Sequence, residues 1–402
     1  VSIMLAFSGC SKDNDNIKGY PTQFGTGAFK AKPATKNGGY VNQMLSTGLN
    51  IMGKSTMPEF GLICSTENEK WGITRNPWST NLTPGGSSSG SGALVASGVV
   101  SIAQANDGAG STRIPAACCG LVGLKPSRNR LINFDGSDMM PINIGYNGVL
   151  TRSVRDTAAF YAEAEKFYKN SKLPAMGHVK DPLNKRLKIA FLGNSATGEV
   201  GRMDADTYKV QMDTVKLLES LGHEVEEIAI PFNIDEMVHH YLNYYGFLAF
   251  VMTKLGRVMH KANVNQKELE PFSYGLTNTF LKNITGFPKS VSVLKKTMHD
   301  LDKQLMGRFD ILLTPVTSII TPEIGYLSPL LSSKEIMKRA SMYSPFAGMQ
   351  NVSGVPALAL PMGKDSRGMP VGLQFSAGMG QDALLLELAY EIEATQPWTH
   401  LY

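Results

Sequence analysis

The sequence predicts an α/β fold with parallel strand pairing, and two features carry that expectation. Apolar runs at Leu187–Leu192 and Val225–Ile230 flank a segment in which Val210, Leu217, Leu218 and Leu221 recur at helical spacing. A strand, a helix and a second strand in succession form a crossover unit, which joins parallel neighbours in one sheet. Further short apolar runs at Ile311–Thr314, Ala357–Leu360 and Val371–Phe375 read as additional buried strands.

Taken in chain order, Tyr40–Thr47 reads as a helix leading into a short strand, Leu49–Met52. The small apolar segment 93–105 is expected to form an internal helix. Ser153-Val154-Arg155-Asp156 has the chemistry of a helix start ahead of Ala158, Phe160, Tyr161 and Ala164. The helix of the crossover unit should stop at Gly222, and the strand after it at Pro231. Residues 233–305 are expected to be mostly helical and rich in aromatic side chains. Asp382–Ala394 closes the chain as a last helix.

A chain of 402 residues with 43% hydrophobic and 18% charged residues can bury a sizeable core. With no internal repeat and no low-complexity linker, residues 1–402 read as one domain. The net charge of +5 comes from scattered lysines, so composition gives nucleic-acid binding no support. No apolar run reaches membrane-spanning length, and the expected location is cytoplasmic. Phe7-Ser8-Gly9-Cys10 resembles a lipoprotein cleavage site only faintly, since the apolar stretch before it is short and has no positive flank. Cys10, Cys64, Cys118 and Cys119 lack metal-ligand spacing and read as reduced thiols.

The chemistry concentrates in two glycine-rich runs, Pro84–Gly92 and Asn106–Pro115, which place Ser87 and Ser111 in loops where backbone amides can crowd a reacting atom. Three patterns compete for this region. Gly86-Ser87-Ser88-Ser89-Gly90 fits a nucleophile elbow, but that machinery needs a downstream acid and histidine, and the histidines are scattered. Gly48–Ser55 fits a phosphate-binding loop letter by letter, as a nucleotide-binding protein would require. Leu49–Met52, however, reads as strand where the loop should be, and Pro58 follows where a helix should continue.

The third pattern spans most of the chain. Lys12-Asp13, Lys18-Gly19, Gly53–Gly61, the two serine loops, Cys119–Pro126, Asn351–Pro356 and Gly368–Gln374 together resemble the amidase signature family. Trp71–Trp78 and Asn106–Pro115 are most similar to the branch that contains 6-aminohexanoate cyclic-dimer hydrolase. The resemblance implies the amidase signature fold, a mixed and largely parallel twisted sheet flanked by helices on both faces. It implies a single domain that lacks its N-terminal helices, with 233–305 as a variable helical substrate-pocket region.

For the site, the resemblance implies hydrolysis of a carboxylic amide through an acyl-enzyme on Ser111, with Ser87 relaying the proton to a neutral Lys12. In the family the peptide bond entering the first serine is cis. Burial and neighbouring positive charge are what can lower a lysine enough for that role. The backbone amides of Gly108, Ala109, Gly110 and Ser111 would form the oxyanion hole. The family usually has glycine where Ala109 stands, and alanine is tolerable there only outside the left-handed region. Ser88, Asp107 and Arg113 read as supports of the nucleophile loop, a salt bridge of purely structural purpose being the alternative. Tyr241, Tyr244, Tyr245, Phe247 and Phe250 are candidates for the pocket wall or for core.

No cofactor and no metal is expected. The expected partner is a small-molecule amide, linear or cyclic, with no nucleic acid or membrane and, at most, a second copy of the chain in a homodimer. Two alternatives stay within the family: a glutamine-hydrolysing A subunit of a tRNA-dependent amidotransferase, in which Ile114 would stand where glutamine is usual, and an inactive truncated amidase.

Overall fold

A computed structural model describes residues 4–8, 15–68, 70–134, 137–194, 201–229, 234–259 and 262–401. Lys12, Cys10 and the expected strand end at Ile230 and Pro231 lie outside the described residues. The strands are β1 (Met4–Ser8), β2 (Asn50–Ser55), β3 (Glu67–Asn68), β4 (Gly72–Ile73), β5 (Ile102–Asp107), β6 (Val122–Lys125), β7 (Tyr146–Thr151), β8 (Lys188–Leu192), β9 (Glu224–Ile228), β10 (Ile311–Pro315), β11 (Ala357–Lys364) and β12 (Pro370–Ala377). β3 and β4 pair with each other, and the other ten form one sheet in the order β2-β1-β5-β7-β6-β11-β12-β10-β8-β9.

The parallel pairing expected from the crossover unit is present. β8 runs parallel to β9 and to β10, and at the opposite flank β1 runs parallel to β2 and β5. The five central pairings, from β5 through β7, β6, β11 and β12 to β10, are antiparallel. Connection length sets part of this division. Only residues 365–369 join β11 to β12, too few for a crossover, so the chain must turn straight back.

The helices are α1 (Gly39–Ser46), α2 (Ser89–Ala96), α3 (Arg113–Cys119), α4 (Val154–Phe167), α5 (Ala205–Ser220), α6 (Ile234–Lys254), α7 (Gly256–Met259), α8 (Pro271–Lys282), α9 (Phe287–Asp300), α10 (Ser333–Tyr343), α11 (Gly348–Ser353) and α12 (Asp382–Thr395). Most match the sequence reading to within a few residues. Ser153 caps α4 as expected, its hydroxyl accepting from the Asp156 amide at 3.2 Å. The strand expected at Leu49–Met52 lies slightly later, at Asn50–Ser55, with Leu49 buried in the core.

One expectation fails. Segment 93–105 is not a single helix: α2 stops at Ala96, Gly98 turns the chain at φ +74°, and Ile102–Asp107 forms strand β5. Ala103 and Ala105 favour helix locally, but every residue of β5 is buried and it pairs on both sides, so tertiary packing overrides local propensity.

Alternation along the strands divides the sheet into two faces. Ile102, Val149 and Leu358 pack on one side in the same cluster as residues of α1, α4, α5 and α12. Their neighbours Ala103, Leu150 and Ala359 face α2 and α3 on the other. The second face is paved with small residues where α3 crosses it. A Cβ added to Gly372 would lie 2.5 Å from the Ala117 Cα, and one added to Gly123 would lie 2.8 Å from the Ala116 Cβ. The sheet therefore seats α3 close against it, and the loop that carries Ser111 leads directly into that helix.

Candidate active site

The loop 108–112 leaves the buried end of β5 and enters α3, so both of its ends are fixed by packed elements. The Pro84–Ser88 loop leads in the same way into α2. Ser87 and Ser111 are both buried, at 5% and 6% exposure. The peptide bond between Gly86 and Ser87 is cis, as the resemblance implied. Gly86 rests on the Cys64–Ser65 backbone, where a Cβ would come within 2.7 Å. Gly61 leaves room over Ser87, since a Cβ built there would lie 3.2 Å from the Ser87 Oγ.

The other serines of the run serve as pegs. The Ser88 hydroxyl accepts from the Asn106 amide at 3.2 Å, which ties the first loop to the end of β5. Ser89 donates to the Gly85 carbonyl at 2.5 Å, and Ser91 to the Gln104 carbonyl at 2.6 Å. Among the described residues, the hydroxyls of Ser87 and Ser111 take no part in this network.

Asp107 and Arg113 form a fully buried ion pair that shapes the loop carrying Ser111. Arg113 Nε reaches Asp107 Oδ2 at 3.0 Å and a terminal nitrogen reaches Oδ1 at 2.9 Å, a two-point contact. The same guanidinium donates to the Gln350 and Gln374 side chains and to the Ala347 carbonyl, so every edge of it is engaged. Asn351 bridges the pair, accepting from Arg113 at 2.7 Å and donating to the Asp107 carboxylate at 2.9 Å. Burial alone would raise the Asp107 pKa. The Arg113 charge and hydrogen bonds, with that of Asn351, outweigh it and hold the carboxyl at about 2.

Asp107 also accepts from the amides of Gly110 at 2.7 Å and Thr112 at 3.2 Å. The Gly110 amide is therefore committed to the carboxylate, whereas the amides of Gly108, Ala109 and Ser111 have no such bond among the described residues. Gly110 sits at φ +108°, while Ala109 stays out of the left-handed region, the condition for an alanine at that position.

Tyrosines of α6 complete the surroundings. The Tyr241 hydroxyl donates to the Gly108 carbonyl at 2.8 Å, and the Tyr245 hydroxyl to the Gly61 carbonyl at 3.3 Å. Their rings stack at 6.0 Å, one helical turn apart. These two line cavities beside the serine loops. Tyr244 is instead buried core, its hydroxyl on the Ile142 backbone, and Phe247 and Phe250 pack on Phe280. Sequence reasoning did not single out Gln350, Asn351 or Gln374 as supports. The signal that could have found Gln374 is its position between Leu373 and Phe375, a polar side chain in an apolar strand.

Among the described residues, no group of three or more His, Cys, Asp or Glu side chains could hold a metal ion, and no helix is long and apolar enough to cross a membrane. Cys64, Cys118 and Cys119 are free thiols, and burial pushes Cys64 up to about 12, far from thiolate reactivity. His223 bonds Glu391 and His240 bonds Ser290, so neither is left to serve a nucleophile elbow. Within the Gly48–Ser55 pattern, Asn50–Ser55 forms strand β2, with no helix directly after Ser55.

The α/β sheet presents two buried serine loops, one of them leaving the C-terminal end of β5, together with backbone amides free of other bonds among the described residues, an arrangement found in hydrolases. The Amidase family profile matches residues 10–386, and the chain belongs to that family and is an amide hydrolase. It is 42% identical over 391 residues to AmiC of Mycobacterium tuberculosis, covering 97% of this chain and 82% of that protein. It is 31% identical over 385 residues to 6-aminohexanoate-cyclic-dimer hydrolase of Paenarthrobacter ureafaciens, covering 89% and 76%. A solved 6-aminohexanoate cyclic dimer hydrolase superposes with a TM-score of 0.86 at 26% identity, over 98% of this chain and 85% of that one.

Proposed function

We propose that the protein hydrolyses a carboxylic amide C–N bond through an acyl-enzyme on Ser111, with Ser87 passing the proton to a neutral Lys12. The observation that carries this reading is the loop 108–112. It holds a buried serine next to backbone amides that no other described group uses, and a carboxylate and a guanidinium fix its shape.

In the first step the Ser111 oxygen bonds to the carbonyl carbon and its proton goes to the Ser87 oxygen. The Ser87 proton passes to the lysine amine. The carbonyl oxygen, now negative, is met by the amides of Gly108, Ala109 and Ser111, while the Gly110 amide keeps the loop on Asp107. The C–N bond then breaks as the leaving nitrogen takes a proton back through Ser87. Water attacks the ester by the same route in reverse and releases the acid. Linear and cyclic amides both fit this sequence.

The test is labelling with a fluorophosphonate probe and mass mapping of the adduct. Label on Ser111 is expected, absent in Ser111→Ala and weakened in Lys12→Ala, with amide turnover falling in parallel. Label on another residue, or turnover retained in Ser111→Ala, overturns the reading.

A further inference from the structure

Two cavities share a wall beside the serine loops. One is lined by Ala109 and Cys64 together with Val238, Met337 and Ala340. The other is lined by Gly61 together with Phe134, Ile144, Val251 and Met252. Leu62 and Tyr245 belong to both walls, so they form the partition between them. Among the described residues, none of the side chains lining either cavity carries a charge, and the polar groups present are hydroxyls, a thiol and one carboxamide.

Each cavity touches a different part of the reaction. Ala109 supplies an amide to the carbonyl oxygen in the proposed mechanism, and it lies in the wall of the first cavity. Gly61 lies in the wall of the second, and a Cβ built on it would be 3.2 Å from the Ser87 hydroxyl. In the acyl-transfer sequence the leaving nitrogen collects its proton from Ser87, so it must face that side.

We infer that the two cavities hold the two halves of an uncharged, apolar secondary amide, the acyl group in the cavity of Ala109 and Ala340 and the amine group in the cavity of Gly61 and Val251. This assignment rests on the Ser111 reading. It disfavours free glutamine, whose ammonium and carboxylate would meet no charged side chain among the described lining residues and lose their hydration without a partner. Tyr245 acts as a positioning residue, holding the partition upright through its bond to the Gly61 carbonyl.

The experiment is a matrix of kcat/KM values for the purified protein on N-methylacetamide, N-methylhexanamide, N-butylacetamide and N-butylhexanamide, with the terminal carboxylate and ammonium counterparts of the longer chains. Lengthening either half is expected to raise kcat/KM by up to about fourfold per methylene, and a terminal charge to cancel that gain. Ala340→Phe should erase the gain from the longer acyl group more than that from the longer amine, and Val251→Trp the reverse. Flat length dependence, a preference for charged amides, or the opposite pairing of variant and substrate half overturns the assignment. The wild-type panel tests length and charge even if a variant does not fold. Turnover that persists in Ser111→Ala would instead overturn the acyl-enzyme reading, which separates the two failures.

Discussion

The Tyr241 hydroxyl donates to the Gly108 carbonyl across 2.8 Å, pinning the start of the Ser111 loop to helix α6. The bond matters because the peptide plane that offers this carbonyl outward fixes where the next amide, that of Ala109, points. Removing the hydroxyl leaves the ring in place and frees that plane. In Tyr241→Phe, kcat is expected to fall about tenfold with KM little changed, while stability drops by no more than about 1.5 kcal/mol. Steady-state kinetics alongside urea unfolding reads both, and an unchanged kcat would remove Tyr241 from the loop's support.

A second bond one helical turn later, from Tyr245 to the Gly61 carbonyl, shows why α6 was hard to read from sequence. Tyr241, Tyr244, Tyr245, Phe247 and Phe250 are all aromatic, and only the docking of α6 decides that two line the cavities, that Tyr244 and Phe247 join the core, and that Phe250 is half-buried against Phe280. The serine loops were legible because glycine, serine and the Asp–Arg pair stand in one short stretch. Gln350 and Asn351 were not, because they reach Arg113 from more than 230 residues away. The helix expected over 93–105 takes in residues 102–105 of β5 for a related reason: strand partners elsewhere in the sequence, β1 and β7, outvote the alanines there. Local chemistry could be read along the chain, whereas long-range pairing could not.

The Asp107 carboxyl, held at about 2, makes stability pH-dependent in a defined window. Its pKa is depressed in the folded state, so its contribution is complete above the unfolded value near 3.9 and is lost as pH falls through about 2. The loss amounts to about 2–3 kcal/mol. Denaturant midpoints of the wild type should therefore fall between pH 4 and pH 2, and Asp107→Asn should flatten that part of the curve. Arg113→Met is expected to cost about 3–5 kcal/mol at pH 7, since it strands a buried carboxylate.

Gly90 marks where the first turn of α2, just after the Ser87 loop, presses on Ser55 and Thr56 at the end of β2. A Cβ added there would lie 2.5 Å from the Thr56 amide nitrogen, a backbone atom that can yield little. Gly90→Ala should lose about 1–3 kcal/mol and reduce turnover, because relief of the clash must move either β2 or the start of α2. Gly53→Ala, in the same strand β2 but with no atom within 4 Å of the added carbon, serves as the control and should be neutral or slightly stabilising. Thermal unfolding of the pair decides whether close approach, rather than glycine content as such, is what the loop requires.

Lys125 lies fully buried in β6, which packs against α3, its amine 2.8 Å from the Pro126 carbonyl and 3.7 Å from the centre of the Tyr146 ring. The ring would favour an ammonium, but burial first and the Arg113 charge second push the pKa well below its usual value. A lysine depressed in the folded state binds fewer protons there than in the unfolded chain. Stability then rises with pH up to the unfolded pKa near 10.4 and is lost again as pH falls. Lys125→Met removes this dependence and keeps the volume close. Relative to the wild type, the variant should therefore fare better at pH 7 than at pH 10, by at least about 1 kcal/mol in urea unfolding. An equal difference at both pH values would mean that the amine keeps its proton inside the fold, with Tyr146 and Asp107 together outweighing desolvation.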